Sequence, residues 1–265
     1  MRIALGVEYD GTDFVGWQQQ RNGRSVQEVL TAAVGRVAAE RVTLTAAGRT
    51  DAGVHATQQV VHFDTSAART PRQWQLGVNA NLPPDVAVRW ARPVPDDFDA
   101  RRSARARTYR YLLLAQPHRP ALGRRRAWWV RESLDVEAMT AAALHWLGEN
   151  DFSAFRAAGC QSLSPNRRLM AVRVVQDLAG HPGLYALEFT ANAFLQHMVR
   201  NLVGLLAAVG RGGLPPRAAA EVLASRDRRR AAEAAPPHGL TLIAVDYPER
   251  FELPSAEDGR HDAPL

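Results

Sequence analysis

The chain has 265 residues, 46% of them apolar, a formal net charge of +6 and a sequence pI near 10.3. This length allows one large domain or two modest ones with a substantial core, and no apolar run approaches the ~20 residues that cross a bilayer. Cys160 is the single cysteine, which excludes an internal disulfide, a thiolate zinc cluster and a two-thiol redox centre.

Residues 2 to 9 alternate Ile3, Leu5, Val7, Tyr9 and read as a strand, with turn chemistry at Asp10, Gly11 and Thr12. That start lacks the layout of a signal peptide, so a cytoplasmic protein is expected. A helix follows from Ser25, which with Glu28 has capping-box spacing, and its apolar face runs Val26, Val29, Leu30, Ala33, Val34, Val37. Segment 57–63 reads as a strand, 71–79 as a short helix opened by Pro71, and 85–91 as another strand. Arg107 to Ala115 is a further strand, after which Pro117, Pro120 and Gly123 break the chain. A boundary near there gives an N-terminal half, 1–115, and a C-terminal half, 116–250, with a mobile tail over 251–265. The second half offers a helix from Asp135 to Leu147, strands over 169–176 and 184–190, a helix over 193–209, another after Pro215 and Pro216, and a last strand from Leu240 to Val245. Mixed or antiparallel α/β units are expected, because a hairpin-length loop joins 169–176 to 184–190.

No lysine is present, so the 33 basic residues of the Lys and Arg classes are all arginine. This excludes Schiff-base chemistry, pyridoxal phosphate attachment and a P-loop, each of which needs an amine. The arginines cluster at 101, 102, 105, 107 and 110, at 124 to 126, and at 228 to 230. Composition alone fits a coding bias as well as a polyanionic partner; the clustering favours nucleic acid, since guanidinium groups bind phosphates bidentately and stack on bases. The histidines show no HExxH or comparable pair, Asp10 and Asp13 lack the later ligands of a calcium loop, and no GxGxxG opens a helix. No metal and no cofactor are expected.

The segment Ala47-Gly48-Arg49-Thr50-Asp51-Ala52-Gly53-Val54-His55 follows no amphipathic period. It is either a tight loop that Asp51 caps or a carboxylate held on a glycine-permitted turn beside Arg49. The helix over 193–209 is apolar around most of its circumference, yet Gln196, His197, Arg200, Asn201 and Gly204 form a polar stripe. An arginine on a buried helix calls for an anionic partner, either an ordinary structural carboxylate or Asp51, whose pKa the pairing lowers. Alternation puts Tyr109 and Tyr111 on one face of their strand, as core or as a platform on which a base stacks.

The motifs GVEYDGTDFVGWQ at 6–18, AGRTDAGVHA at 47–56, GVNANLP at 77–83, ARTYRYLL at 106–113, NAFLQHMVRN at 192–201 and LIAVDYP at 242–248 together resemble the TruA family of tRNA pseudouridine synthases. They span almost the whole chain in the family's order. The resemblance implies two RRM-like α/β halves with their sheets joined over a central active-site cleft. It implies a homodimer, and isomerisation of uridine at positions 38 to 40 of the tRNA anticodon stem and loop. Asp51 matches the family's catalytic aspartate, Arg49 the arginine two places before it, Tyr109 the active-site tyrosine and Arg200 the arginine paired with the aspartate. Arg101, Arg105, Arg107, Arg110, Arg124 and Arg125 are the expected RNA contacts, with Tyr109 and Arg49 at the target base. The stretch over 174–187 looks longer than the family's usual hairpin, which bears on loop contacts. Two other readings of the same residues are a noncatalytic RNA-binding protein and a base-releasing N-glycosidase.

Overall fold

Alternating apolar and β-branched side chains form the strand β1 (Arg2–Tyr9), which a computed structural model describing residues 1–21 and 23–254 places between two neighbours in a sheet. The helix α1 (Val26–Ala38) starts where Ser25 accepts the backbone N–H of Glu28 at 3.3 Å, and it buries Val26, Leu30, Ala33, Val34 and Ala38. A two-residue strand, β2 (Thr45–Ala46), leads through the glycine-bracketed loop into β3 (His55–Asp64). Next comes α2 (Pro71–Asn79), opened by a full capping box between Thr70 and Gln73 with Pro71 in the first turn, and then β4 (Val86–Val94).

β1 pairs antiparallel with both β3 and β4, and β2 pairs antiparallel with β3. The order β4-β1-β3-β2 with two interleaved helices is the split arrangement of RRM-type units. A late strand, the last of ten in chain order and here β10 (Leu240–Asp246), returns to this unit and runs parallel to the start of β3, with Thr241 opposite His55 and Leu242 opposite Ala56. β1 occupies one edge of β3 from Ala56 to Asp64, so β2 and β10 share the other edge. One apolar cluster of the unit gathers Ala4, Ala47, Val60, Val94, Phe98, Ala100 and Phe251. Ala47, at the head of the candidate loop, is therefore part of the core.

Among the described residues the chain divides into a first unit, 1–107 with 241–254, and a second unit, 108–240. The sequence reading put a single boundary near 115. The division falls earlier because the side chain of Arg107 belongs to the first unit's interior, and the last strand is recruited back by β3. Of the tail expected from 251 onward, Phe251 is buried in the cluster just described, and 255–265 lie outside the described residues.

The second unit carries most of β5 (Ala106–Ala115), then β6 (Trp128–Val130), α3 (Val136–Leu144), β7 (Gly148–Asp151), β8 (Asn166–Val175), β9 (Leu184–Ala191), α4 (Met198–Gly210) and α5 (Ala218–Ser225). β7, β8 and β9 form an antiparallel meander in the order β5-β9-β8-β7, and β6 runs parallel to the end of β5. α4 is the core helix: a Cβ added to Gly210 would lie 2.6 Å from Met139 Sδ on α3, and the Gly210 carbonyl accepts the Asp135 N–H at 2.9 Å. Ten mostly antiparallel strands and five helices among the described residues make this an α+β chain, as expected.

Two helices are shorter than their periodicity suggested. α3 stops at Leu144, and α4 starts at Met198 because residues 192–197 form a turn in which His197 has φ 62°, a left-handed conformation that ends the period. The extended connection over 174–187 is a turn over 176–183, where the Asp177 side chain accepts the Gly183 N–H at 2.8 Å.

Candidate active site

The segment after β1 and the loop between β2 and β3 are built on each other. The Trp17 N–H donates to the Thr50 carbonyl at 3.0 Å, the Gly53 N–H to the Phe14 carbonyl at 3.3 Å, and Gly16 forms a bridge with Asp51. The Gly11 N–H donates to Nδ1 of the fully buried His55 at 3.0 Å, and Asp10 Oδ1 lies 3.1 Å from the same nitrogen. Two glycines make the approach possible. A Cβ on Gly11 would lie 2.0 Å from the Val54 carbonyl oxygen, and one on Gly16, at φ 108°, would lie 2.7 Å from the Thr50 oxygen. The first two motifs of the sequence are thus one physical unit.

The same loop is held from within the core. Thr50 is buried, and its hydroxyl shares a 2.8 Å hydrogen bond with the Tyr9 hydroxyl. Gln59 Nε2 donates to the Gly48 carbonyl at 2.7 Å. The Ala47 N–H donates to the Val60 carbonyl at 2.8 Å, and the Arg107 guanidinium donates to the Ala47 carbonyl. Burial pushes the Tyr9 phenol up to about 12, so it stays protonated at working pH and serves as a neutral hydrogen-bonding group. Between these anchors Arg49 is exposed and Asp51 half-buried. A rigid turn presenting a partly accessible carboxylate suits nucleophilic or acid–base work.

Tyr9→Phe removes the hydroxyl and leaves that of Thr50 buried without it. Expected are a stability loss of about 1–3 kcal/mol and a slower single turnover at unchanged tRNA affinity, read by thermal unfolding and rapid-quench assays. Unchanged stability and rate together would show that the Tyr9–Thr50 bond does not hold the loop.

In the second unit Tyr109 faces the buried side of β5 together with Tyr111, as alternation implied, and its ring meets Phe194 edge-on at 5.2 Å. The Tyr111 hydroxyl donates to the Pro236 carbonyl at 2.8 Å, and burial raises its pKa; it is a core tyrosine. Arg200 is half-buried, although α4 around it is buried. Its Nε donates to the Ala235 carbonyl at 2.8 Å, and the Ala235 N–H returns to the Arg200 carbonyl at 3.0 Å. Desolvation therefore places a weaker demand for a carboxylate on Arg200 than a fully buried arginine would. Gly204, one turn on, would bring a Cβ to 1.9 Å from the Glu233 carbonyl oxygen, so part of the polar stripe is a docking face for residues 233–235. Asn201 is buried and bridges the Phe155 carbonyl and Arg228 Nη2.

The candidate arginines separate into two groups. Arg101, Arg105, Arg124 and Arg125 are exposed. Arg110 is half-buried and ion-paired with Glu188 at 2.8 Å across β5 and β9, and Arg107 is buried; both occupy structural positions. Arg49 and Asp51 share one loop of the first unit, while Tyr109 and Arg200 stand on β5 and α4 of the second. Sequence reasoning missed Tyr9, Thr50 and Gln59 as supports of the loop; the signal was Tyr9 ending an apolar stripe with a polar tip. Among the described residues no cluster of three or more His, Cys, Asp or Glu is placed to hold a metal ion, and no helix is long and apolar enough to cross a membrane.

Comparison with known proteins bears on what this arrangement serves. A family described as tRNA pseudouridine synthase matches residues 6–101 and 142–248. The curated tRNA pseudouridine synthase A of Shigella sonnei is 52% identical over 258 residues, covering 97% of this chain and 94% of that protein. That of Alcanivorax borkumensis is 52% identical over 254 residues, covering 96% and 94%. A solved chain titled "Crystal Structure of a Cbf5-Nop10-Gar1 Complex" aligns at 11% identity with a TM-score of 0.37, over 91% of this chain and 48% of that one, a likeness that adds nothing to the assignment. The protein is thus a pseudouridine synthase, an isomerase. Within that class the chain belongs to the TruA family of tRNA pseudouridine synthases.

Proposed function

We propose that the enzyme converts uridine to pseudouridine at positions 38, 39 and 40 of the tRNA anticodon stem and loop, with Asp51 as the nucleophile. The observation that carries the Asp51 assignment is the anchoring of its loop: residues 47, 48, 50 and 53 are each fixed by hydrogen bonds, while Asp51 stays half-buried beside an exposed arginine. The positions follow from the family resemblance of the six motifs.

The reaction breaks the N1–C1′ bond of uridine, forms a C5–C1′ bond, and moves the C5 proton away while N1 gains one. It needs a nucleophile and no redox agent or energy donor. In this reading Asp51 attacks C1′ of the ribose or C6 of the base, the detached uracil rotates, and it rejoins through C5. The target base must first leave its stack at a cost of a few kcal/mol; Arg49 fills the vacated space, and phosphate contacts from Arg101, Arg105, Arg124 and Arg125 offset the cost. Tyr109 stacks on the flipped uracil, and its phenol or a water takes the C5 proton. Arg200 holds Asp51 ionised and aimed. Two copies of the chain grip one tRNA in the cytoplasm.

Transcribed tRNAs with uridine at 38, 39 or 40, and controls with uridine only elsewhere in the molecule, test the site assignment by nucleoside mapping. Pseudouridine confined to 38–40 is the expected result, and modification elsewhere at comparable rates would contradict it. Tyr109→Phe is expected to keep tRNA affinity and slow turnover by about 10²–10⁴-fold. Undiminished turnover would remove the phenol from proton transfer.

A further inference from the structure

Arg107 lies in a run of arginines whose exposed members suit RNA contact, yet it is only 8% exposed. Its guanidinium is directed at main-chain oxygens. Nη2 donates to the Ala47 carbonyl at 2.9 Å and the Arg101 carbonyl at 2.6 Å, Nε to the Ala47 carbonyl at 3.3 Å, and Nη1 to the Ala104 carbonyl at 3.2 Å. Ala47 is the residue from which the loop carrying Arg49 and Asp51 departs. Arg101 and Ala104 belong to the segment that exposes Arg101, Arg102 and Arg105.

That segment is itself well held. Asp99 Oδ1 accepts the N–H groups of Arg101 and Arg102 at 2.9 and 2.8 Å, the Tyr247 hydroxyl donates to the Ala100 carbonyl at 2.6 Å, and the Arg105 N–H donates to the Asp246 carbonyl at 2.8 Å. A fork of five donors in one plane can serve three carbonyls at once, whereas an ammonium is a single point on a flexible stem. The site therefore selects a guanidinium for its shape as much as for its charge.

We infer that Arg107 is a positioning residue: it fixes the root of the Asp51 loop and fastens that loop to the arginine segment 101–105, without contacting RNA itself. The inference rests on the reading of Asp51 as nucleophile. Without the fork, the Ala47 carbonyl loses a charge-assisted donor in a buried setting, and the loop can shift at its first residue. A misplacement of about 1 Å at a reacting group is enough to cost on the order of 10²-fold in rate.

The test compares wild type, Arg107→Lys and Arg107→Gln in three measurements. These are the single-turnover rate at saturating tRNA, tRNA affinity as a function of salt, and amide exchange of residues 47–55. Positioning predicts for Arg107→Lys a rate lowered about 10–100-fold, an unchanged salt slope, and faster exchange confined to the loop. An RNA phosphate contact predicts the reverse for Arg107→Gln: a salt slope reduced by about 0.7–0.9 with the rate at saturation kept, which would overturn the inference. Failure of both variants to fold would overturn it as well, making Arg107 a determinant of the whole unit. Asp51→Asn serves as reference. If it turns over like wild type, the reading of Asp51 fails whatever Arg107 does; if it is inactive and Arg107→Lys is unimpaired, only the positioning role fails.

Discussion

Asp51→Asn is expected to lower the rate of pseudouridine formation by about 10⁴-fold or more, with tRNA binding and thermal stability close to wild type. The amide is isosteric, and the Trp17, Gly53 and Ala47 N–H groups and the Tyr9–Thr50 bond hold the loop. The substitution removes nucleophilicity and leaves the turn standing. Equilibrium binding and rapid-quench kinetics on one preparation separate the two effects. A variant that bound weakly yet reacted at the wild-type rate once saturated would make Asp51 a binding residue instead.

The second large effect is expected from Gly16→Ala, a position that takes no part in the chemistry. Gly16 has φ 108°, a region costing a residue with a Cβ about 1–3 kcal/mol, and the added atom would sit 2.7 Å from the Thr50 carbonyl oxygen. The bridge to Asp51 and the Trp17–Thr50 bond must then move apart. Since the loop carries the nucleophile in this account, a lower melting temperature should be accompanied by a rate loss of about 10-fold or more at temperatures where the protein remains folded. A stability loss with full activity would separate the 10–17 segment from the positioning of Asp51.

Much of the first unit was legible because its signals are local. Ser25 caps the helix it precedes, Pro71 opens α2, and strict alternation gives β1. What escaped notice was short or non-local. β2 has two residues, β6 three, and β7 reads Gly-Glu-Asn-Asp with no apolar alternation, so each exists only through its partner strand. β10 has an ordinary strand sequence, but nothing local tells that it joins the first unit beside β3. The start of α4 was misjudged because residues 193–197 keep an apolar and polar rhythm without a glycine or proline to mark the left-handed turn at His197.

The site was legible at the level of the loop and less so at the level of its supports. Glycine-bracketed polar residues with no period announce a special backbone, which led to Asp51 and Arg49. Arg107 was grouped with its exposed neighbours by composition, although period two puts it on the same face of β5 as Tyr109 and Tyr111. Weighing that alternation above the charge cluster would have identified it as buried. Arg110, on the opposite face, meets Glu188 from the neighbouring strand, a partner far away in sequence that composition cannot point to.

The central claim is that Asp51 drives a cofactor-free isomerisation of uridine in tRNA. Its most direct test follows tritium release from transcribed tRNA labelled at uridine C5, together with free uracil, using wild type and Asp51→Ala in the presence of a chelator. The account predicts tritium release without free uracil from wild type and neither from the variant; free uracil as the main product, or tritium release at the wild-type rate from Asp51→Ala, would contradict it.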